Sequence, residues 1–223
     1  MKKLLLLLFS IFFLSSPSVF AYDISDLKIE GMSIGDSLLD YMSEDEILKE
    51  IEATKNHYSD LKEPNKYAEV YFWKDFPTYD VVSVFVKNDF ADLYVGNTNE
   101  TYVLPAIRES IQYVGNTNEK FEIVFIRGLI TFIEDFDSCI EKRDEISEIL
   151  SSMFPDVQRT ENTFDDSMKT SIIDSITLKF SSGALIDARC NDRDETYRIQ
   201  NNYSEGLSIA ILTEEIKDWF SDS

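Results

Sequence analysis

One histidine, two cysteines and several acid clusters are what this 223-residue sequence offers for covalent or ionic chemistry. His57 lies in the polar run Lys55-Asn56-His57-Tyr58-Ser59-Asp60, which reads as a solvated loop. With no second histidine, a His-based triad or a multi-His metal centre has too few ligands. No CxxC, P-loop, GxGxxG, GxSxG or HExxH string occurs.

Carboxylates remain. Glu134, Asp135 and Asp137 crowd three acids before a predicted helix. They either cap that helix and complement its dipole or, with backbone carbonyls, hold a hard cation. A second cluster gathers Asp187, Asn191, Asp192, Asp194 and Glu195. Asp192-x-Asp194 begins like an EF-hand loop, but Tyr203 stands at the twelfth position, where that loop needs Glu. The expectation is therefore no bound metal and no cofactor. A glycosidase-type carboxylate pair stays open, because separation in space is not written in sequence. The aromatics Tyr71, Trp73, Tyr94, Tyr102 and Tyr113 allow two readings: an exposed ladder for carbohydrate or peptide, or ordinary cross-strand packing.

The elements that must position these groups follow from periodicity. Cys139, Ile146, Leu150 and Met153 share one stripe at about 100° per residue, which predicts a long amphipathic helix over residues 138–154. Ile149 and Phe154 widen the stripe. Ser138 with Glu141 offers a capping box, Asp137 offers another N-cap, and Pro155 ends the helix. In Gly183–Cys190, Ala184, Ile186, Ala188 and Cys190 alternate with Leu185, Asp187 and Arg189, as in a strand. Both cysteines thus face apolar surfaces. With an export signal and an even count, Cys139 and Cys190 are expected to form a disulfide. Its loop spans 51 residues, for which the chain-entropy model gives about 4 kcal/mol as an upper figure.

Elsewhere, Ser43 with Glu46 opens an N-terminal helix, after a short helical turn at Leu38–Met42. Asp23–Ile29 suits an edge strand. Tyr67–Lys74 and Tyr79–Lys87 alternate or run apolar as strands. Phe121–Arg127 and Leu129–Ile133 flank Gly128, which reads as a bulge or bend. Asp156–Thr170 and Asn191–Ser204 read as polar excursions. Ile172–Phe180 and Gly183–Cys190 form a hairpin, and Leu207–Leu212 leads into a short C-terminal helix capped by Thr213. The motif Tyr-Val-Gly-Asn-Thr-Asn-Glu occurs at 94–100 and again at 113–119, as paired turns of a lengthened meander or as paired binding tips. The fold class expected is α+β, mostly antiparallel sheet with packed helices.

Residues 1–21 read as a signal peptide: Lys2 and Lys3, then Leu4–Leu14, then Val19-Phe20-Ala21, with cleavage between Ala21 and Tyr22. Residues 22–223 then form one α+β domain, with a helical subregion at 22–65 and a sheet-rich region at 66–223. Removing Lys2 and Lys3 leaves 19 basic against 42 acidic residues, a net charge of −23. Such a surface disfavours nucleic acid and anionic lipid, and no later apolar run is long enough to insert stably in a membrane. The chain is expected in the periplasm or outside the cell. Its expected partner is a protein, a peptide or an envelope component, bound without catalysis; the alternative is a carboxylate-based hydrolase acting on envelope glycans.

The strings Ile29–Ile47, Tyr79–Asp89 and Cys139-x-x-Lys142-x-Asp144-Glu145-Ile146 resemble a group of small exported proteins of marine alphaproteobacteria without assigned activity. The resemblance runs over most of Asp26–Cys190 and implies export and fold only. The duplicated motif departs from that group. More distantly, Gly31-Met32-Ser33-x-Gly35-Asp36-Ser37-x-Leu39 followed by aromatic strands is similar to outer-membrane assembly lipoproteins of the SmpA/OmlA type. The lipid-attachment cysteine of those proteins is missing here, so their anchoring does not carry over.

Overall fold

Val82, Val84 and Val86 are fully buried, and Ser83 and Phe85 between them are buried as well. A strand closed on both faces belongs inside a covered sheet and not at its edge, and Val81–Lys87 is such an interior strand, β2. The computed structural model describes residues 24–88, 120–165, 170–201 and 203–221. Among them seven strands form one sheet: β1 Tyr67–Phe72, β2, β3 Ile123–Thr131, β4 Gln158–Asp165, β5 Ser171–Lys179, β6 Leu185–Arg193 and β7 Gly206–Leu212. Their order is β1-β2-β3-β7-β6-β5-β4, and every neighbouring pair is antiparallel. The helices are α1 Glu44–Thr54, α2 Phe136–Met153, α3 Glu195–Asn201 and α4 Glu214–Ser221. The fold is α+β.

The two sheet faces differ in what covers them. Val70, Val84, Ile126, Ile211, Ile186 and Cys190 share the first face with a continuous apolar core. α2 lies against β5, β6 and β7 on that side. The segment before β1 closes the other end, where Met32, Leu38 and Ile47 are buried. It is stitched to the start of β3 by Gly35 N–H to Ile123 O at 2.9 Å and Ile123 N–H to Asp36 O at 2.9 Å. On the second face α4 buries Ile216 and Trp219 against Phe85, Phe125 and Tyr58. No helix among the described residues is long and apolar enough to cross a membrane.

Local signals account for the helix ends. Ser43 and Glu46 form the reciprocal capping box of α1. Thr213 Oγ1 accepts from Ile216 N–H at the start of α4. α2 starts two residues earlier than its sequence suggests: Asp135 is the N-cap and accepts from Ser138 N–H, so Asp137 lies inside the first turn. Its buried face is also more polar than the stripe of apolar residues implied. Cys139, Arg143 and Ser147 lie at its centre, and Ile149 is exposed.

Several expectations are corrected. β3 runs through Gly128 in register with Val82, without a bulge, and the glycine is there because the ring of Tyr79 occupies the space a side chain would need. The register shift falls instead between Phe85 and Val86 on β2. Residues 158–165, read as part of a loop, form edge strand β4. Their lack of apolar alternation reflects exposure on both faces, not absence of pairing. Asn191–Ser204 contains the end of β6 and the helix α3. Ile24–Asp26 is a 3₁₀ turn, and among the described residues Ile29 bridges only to Met32, so residues 24–29 add no edge strand to the described sheet. The signal peptide with its Ala21–Tyr22 cleavage point, both copies of the repeated motif, and Tyr94, Tyr102 and Tyr113 lie outside the described residues.

Candidate functional site: a buried glutamate beneath an exposed aromatic pair

The strand Tyr67–Phe72 alternates. Ala68, Val70 and Phe72 enter the main core, while Tyr67, Glu69 and Tyr71 face the other way. Glu69 is 2 % exposed. A carboxylate withdrawn from water needs several partners, and β3 and the loop after α1 supply them. Arg127 of β3 donates from Nη2 to Oε1 at 3.2 Å. Tyr58, in the loop after α1, donates its hydroxyl to Oε2 at 3.1 Å. His57 Nδ1 stands 3.6 Å from the same oxygen, within reach of a charge but beyond hydrogen-bond length. Thr54, at the end of α1, donates to the main-chain oxygen of Glu69 at 2.6 Å and so covers part of the β1 edge.

Sheet register brings the arginine across. Tyr71 is opposite Ser83, and Ser83 is opposite Arg127. Arg127 Nη2 thus also reaches the Tyr71 hydroxyl, at 3.4 Å. Ser83 Oγ, beneath this bridge, is buried with no hydrogen-bond partner among the described residues. Burial, and after it the Glu69 charge, pushes the Tyr58 phenol far above the ordinary tyrosine range. Burial first and Glu69 second raise Tyr71 too. Both phenols are therefore neutral donors or acceptors at neutral pH.

Trp73 completes the arrangement. It is 78 % exposed, stacks on Tyr71 at 5.7 Å between centroids with 27° between planes, and donates its indole N–H to Glu50 Oε2 of α1 at 2.9 Å. One face of the indole is held by Tyr71, its edge is fixed by Glu50, and most of its surface is left to solvent. Towards the other end of β1, a shallow cleft against α1 is lined by Thr54, Tyr58, Tyr67, Glu69 and Asn88; none of Trp73, Tyr71 and Glu50 lines it. Chemically the cluster is a rigid polar base under a flat aromatic platform. Both Glu69 oxygens are engaged, so this carboxylate serves as a structural acceptor.

The other sequence candidates are placed as follows. Cys139 and Cys190 lie at disulfide distance, with Cα atoms 6.0 Å apart, joining α2 to β6. Asp135 caps α2. Glu134, with φ of 56°, faces Arg198 at 3.5 Å. Asp194 caps α3 by accepting from Tyr197 N–H at 2.9 Å, and Asp192 sits on β6 opposite Ile172. Among the described residues no group of three or more His, Cys, Asp or Glu side chains is placed to hold a metal ion, so neither Glu134, Asp135 and Asp137 nor Asp192 and Asp194 form such a group.

The cluster at Glu69 is not legible in the sequence, because His57 reads as part of a solvated loop and Glu69 merely alternates with Tyr67, Tyr71 and Trp73 along a strand. The available signal was a charged residue in the middle of a strand flanked by tyrosines. The same device recurs: Asp187 pairs with Arg189, and Glu205 with Arg198 at 3.3 Å. Among the described residues all three buried carboxylates, Glu69, Asp187 and Glu205, are thus met by an arginine. Comparison with protein-family models, curated proteins and solved structures finds no significant match to this chain.

Proposed function

We propose that this is an exported, non-catalytic binding module of the periplasm or cell surface that holds an envelope glycan on the Trp73–Tyr71 platform. The observation carrying this reading is the stacked pair itself: a large aromatic face fixed from behind and from its edge, yet open to solvent. Flat exposed indoles suit the apolar face of a sugar ring, and Glu50 at the rim offers an acceptor for hydroxyl or ammonium groups. Prefixing the indole lowers the ordering cost of binding. The formal net charge of −21 favours neutral or amino-sugar ligands over anionic ones.

A hydrolase acting on the same glycans has less support. Its general acid and base require two facing carboxyls about 5–9 Å apart, whereas Glu69, Asp187 and Glu205 are each committed to an arginine. Retention on insoluble chitin or peptidoglycan tests the binding reading. Wild-type protein is expected to be retained, Trp73→Ala to pass through with an unchanged melting temperature, and the glycan to be recovered uncleaved. Equal retention of both proteins contradicts the platform; release of soluble fragments favours the hydrolase.

A further inference from the structure

We infer that β4 is a dimerisation edge, at which two copies of this chain pair antiparallel about a two-fold axis passing through Asn162. β4 lies at the end of the sheet, hydrogen-bonded to β5 on one side only among the described residues. Its ladder with β5 is unbroken from Gln158 to Asp165, and nearly every residue of it is exposed. A regular edge of this length presents unpaired N–H and C=O groups ready to receive another strand. Of the devices that blunt edges, β4 carries charged side chains at Arg159, Glu161 and Asp165 but no proline, no lysine and no bulge.

The sequence of β4 selects a second copy as the partner. A two-fold axis normal to the sheet keeps each face on its own side, so only residues of like parity stand opposite one another. Two such registers give the longest overlaps. With the axis at Glu161, that residue meets its own copy, and like charges directly opposite are destabilising. With the axis at Asn162, residues 159–165 pair throughout. Arg159 then meets Asp165 of the other copy twice over, Glu161 meets Thr163, Thr160 meets Phe164, and Asn162 meets itself.

Each contact in that register answers a feature of the single chain. Asp165 has no ion-pair partner among the described residues, and Phe164 is an exposed large apolar side chain. Arg159 already meets Glu148 at 2.7 Å and Glu161 at 2.8 Å, so Asp165 of the second copy would share a guanidinium that is still partly open to solvent. Asp165 of the second copy extends this chain of charges along the face that α2 occupies. On the opposite face, Thr160 covers the Phe164 ring. The assembled sheet continues from one copy into the next, and the Trp73 platforms stay at its two far ends.

Sedimentation velocity on the full oxidised protein at about 0.15 M salt, where distant charges are screened, reads the assembly. Single-cysteine variants read the register. In this register the two Asn162 Cα atoms are about 4.5–5.5 Å apart, inside the range a disulfide spans. Expected are a concentration-dependent dimer and rapid oxidative crosslinking of Asn162→Cys. Thr160→Cys and Phe164→Cys should crosslink only when mixed. Asp165→Arg should weaken the dimer at least about tenfold, since it places two like-charge contacts across the axis, and Arg159→Asp added to it should restore most of the loss. A protein that stays monomeric at all accessible concentrations overturns the inference. So does a dimer in which Asn162→Cys fails to crosslink, or in which Glu161→Cys crosslinks faster.

Discussion

Asp174 of β5 stands directly opposite Cys190 of β6 in the sheet register. Cys190 is joined to Cys139 on α2, and Asp174 receives Arg143, one helical turn further along the same helix. A cross-strand pair on the sheet thus matches an i, i+4 pair on the helix, and two fasteners of different chemistry hold one joint. Arg143 is buried at this joint and also reaches Asp144 at 2.6 Å.

Cleaving this joint should be costly. Cys139→Ser with Cys190→Ser is expected to lose about 2–4 kcal/mol against the oxidised protein, read by urea unfolding. Digestion of the unreduced protein should yield one peptide pair linked through these residues. Free alkylation of both thiols in denaturant contradicts this. Since Asp174→Ala acts on the same joint, its cost should be non-additive with loss of the disulfide; strict additivity shows that the two fasteners act separately.

Removing Arg127 leaves the buried Glu69 carboxylate with Tyr58 and the half-exposed His57 as its side-chain partners. Arg127→Ala is expected to cost about 3–5 kcal/mol. Arg127→Ala with Glu69→Gln should recover part of that, because an amide has no charge to desolvate. If the single variant unfolds at the wild-type urea midpoint, Glu69 does not depend on the arginine.

Half-buried phenols should contribute to the alkaline limit of the fold. Tyr58 and Tyr71 are raised by burial and by Glu69, and Tyr41 is pushed up to about 12 by burial and its hydrogen bond to Asp36. A folded value above the unfolded one, near 10, means that the neutral phenol contributes in full below about pH 10. That contribution is lost as pH climbs through the folded values. Phenolate absorbance should therefore show these tyrosines silent at pH 10 and appearing with unfolding, and Tyr58→Phe should move the alkaline midpoint upward. Titration of every tyrosine near pH 10 with the fold intact contradicts this.

Gly128 tests the packing of β3. A side chain there meets the ring of Tyr79, so Gly128→Ala is expected to cost about 1–3 kcal/mol as overpacking. Tyr79→Ala in the same molecule should relieve part of the cost. An unchanged melting temperature for Gly128→Ala shows that the ring moves aside freely.

Much of this fold was legible where one physical signal dominated. Capping chemistry set the start of α1 at Ser43, and alternation put Cys190 and Ile186 on one sheet face. Signals that depend on a distant neighbour were not legible. Nothing local says that Gly128 is small for Tyr79, or that the polar residues 158–165 pair with β5. The site was the least readable part. Glu69, Arg127 and His57 come from three separate stretches; sheet register brings Arg127 across, and the packing of α1 on β1 brings His57. Trp73 was visible as an aromatic residue, but its exposure is set by Tyr71 behind it and Glu50 at its edge.

The binding proposal rests on Trp73, and its fluorescence is the most direct test. The second tryptophan, Trp219, is buried against Tyr58, Phe85 and Phe220, so it should stay silent to a surface ligand and to soluble quencher. Titration with soluble chito-oligosaccharides or peptidoglycan fragments is expected to shift Trp73 emission to the blue and protect it from acrylamide, saturably, with both effects gone in Trp73→Phe. Emission and quenching that stay unchanged up to millimolar glycan, in a protein whose Trp73 is shown to be accessible, contradict the proposal.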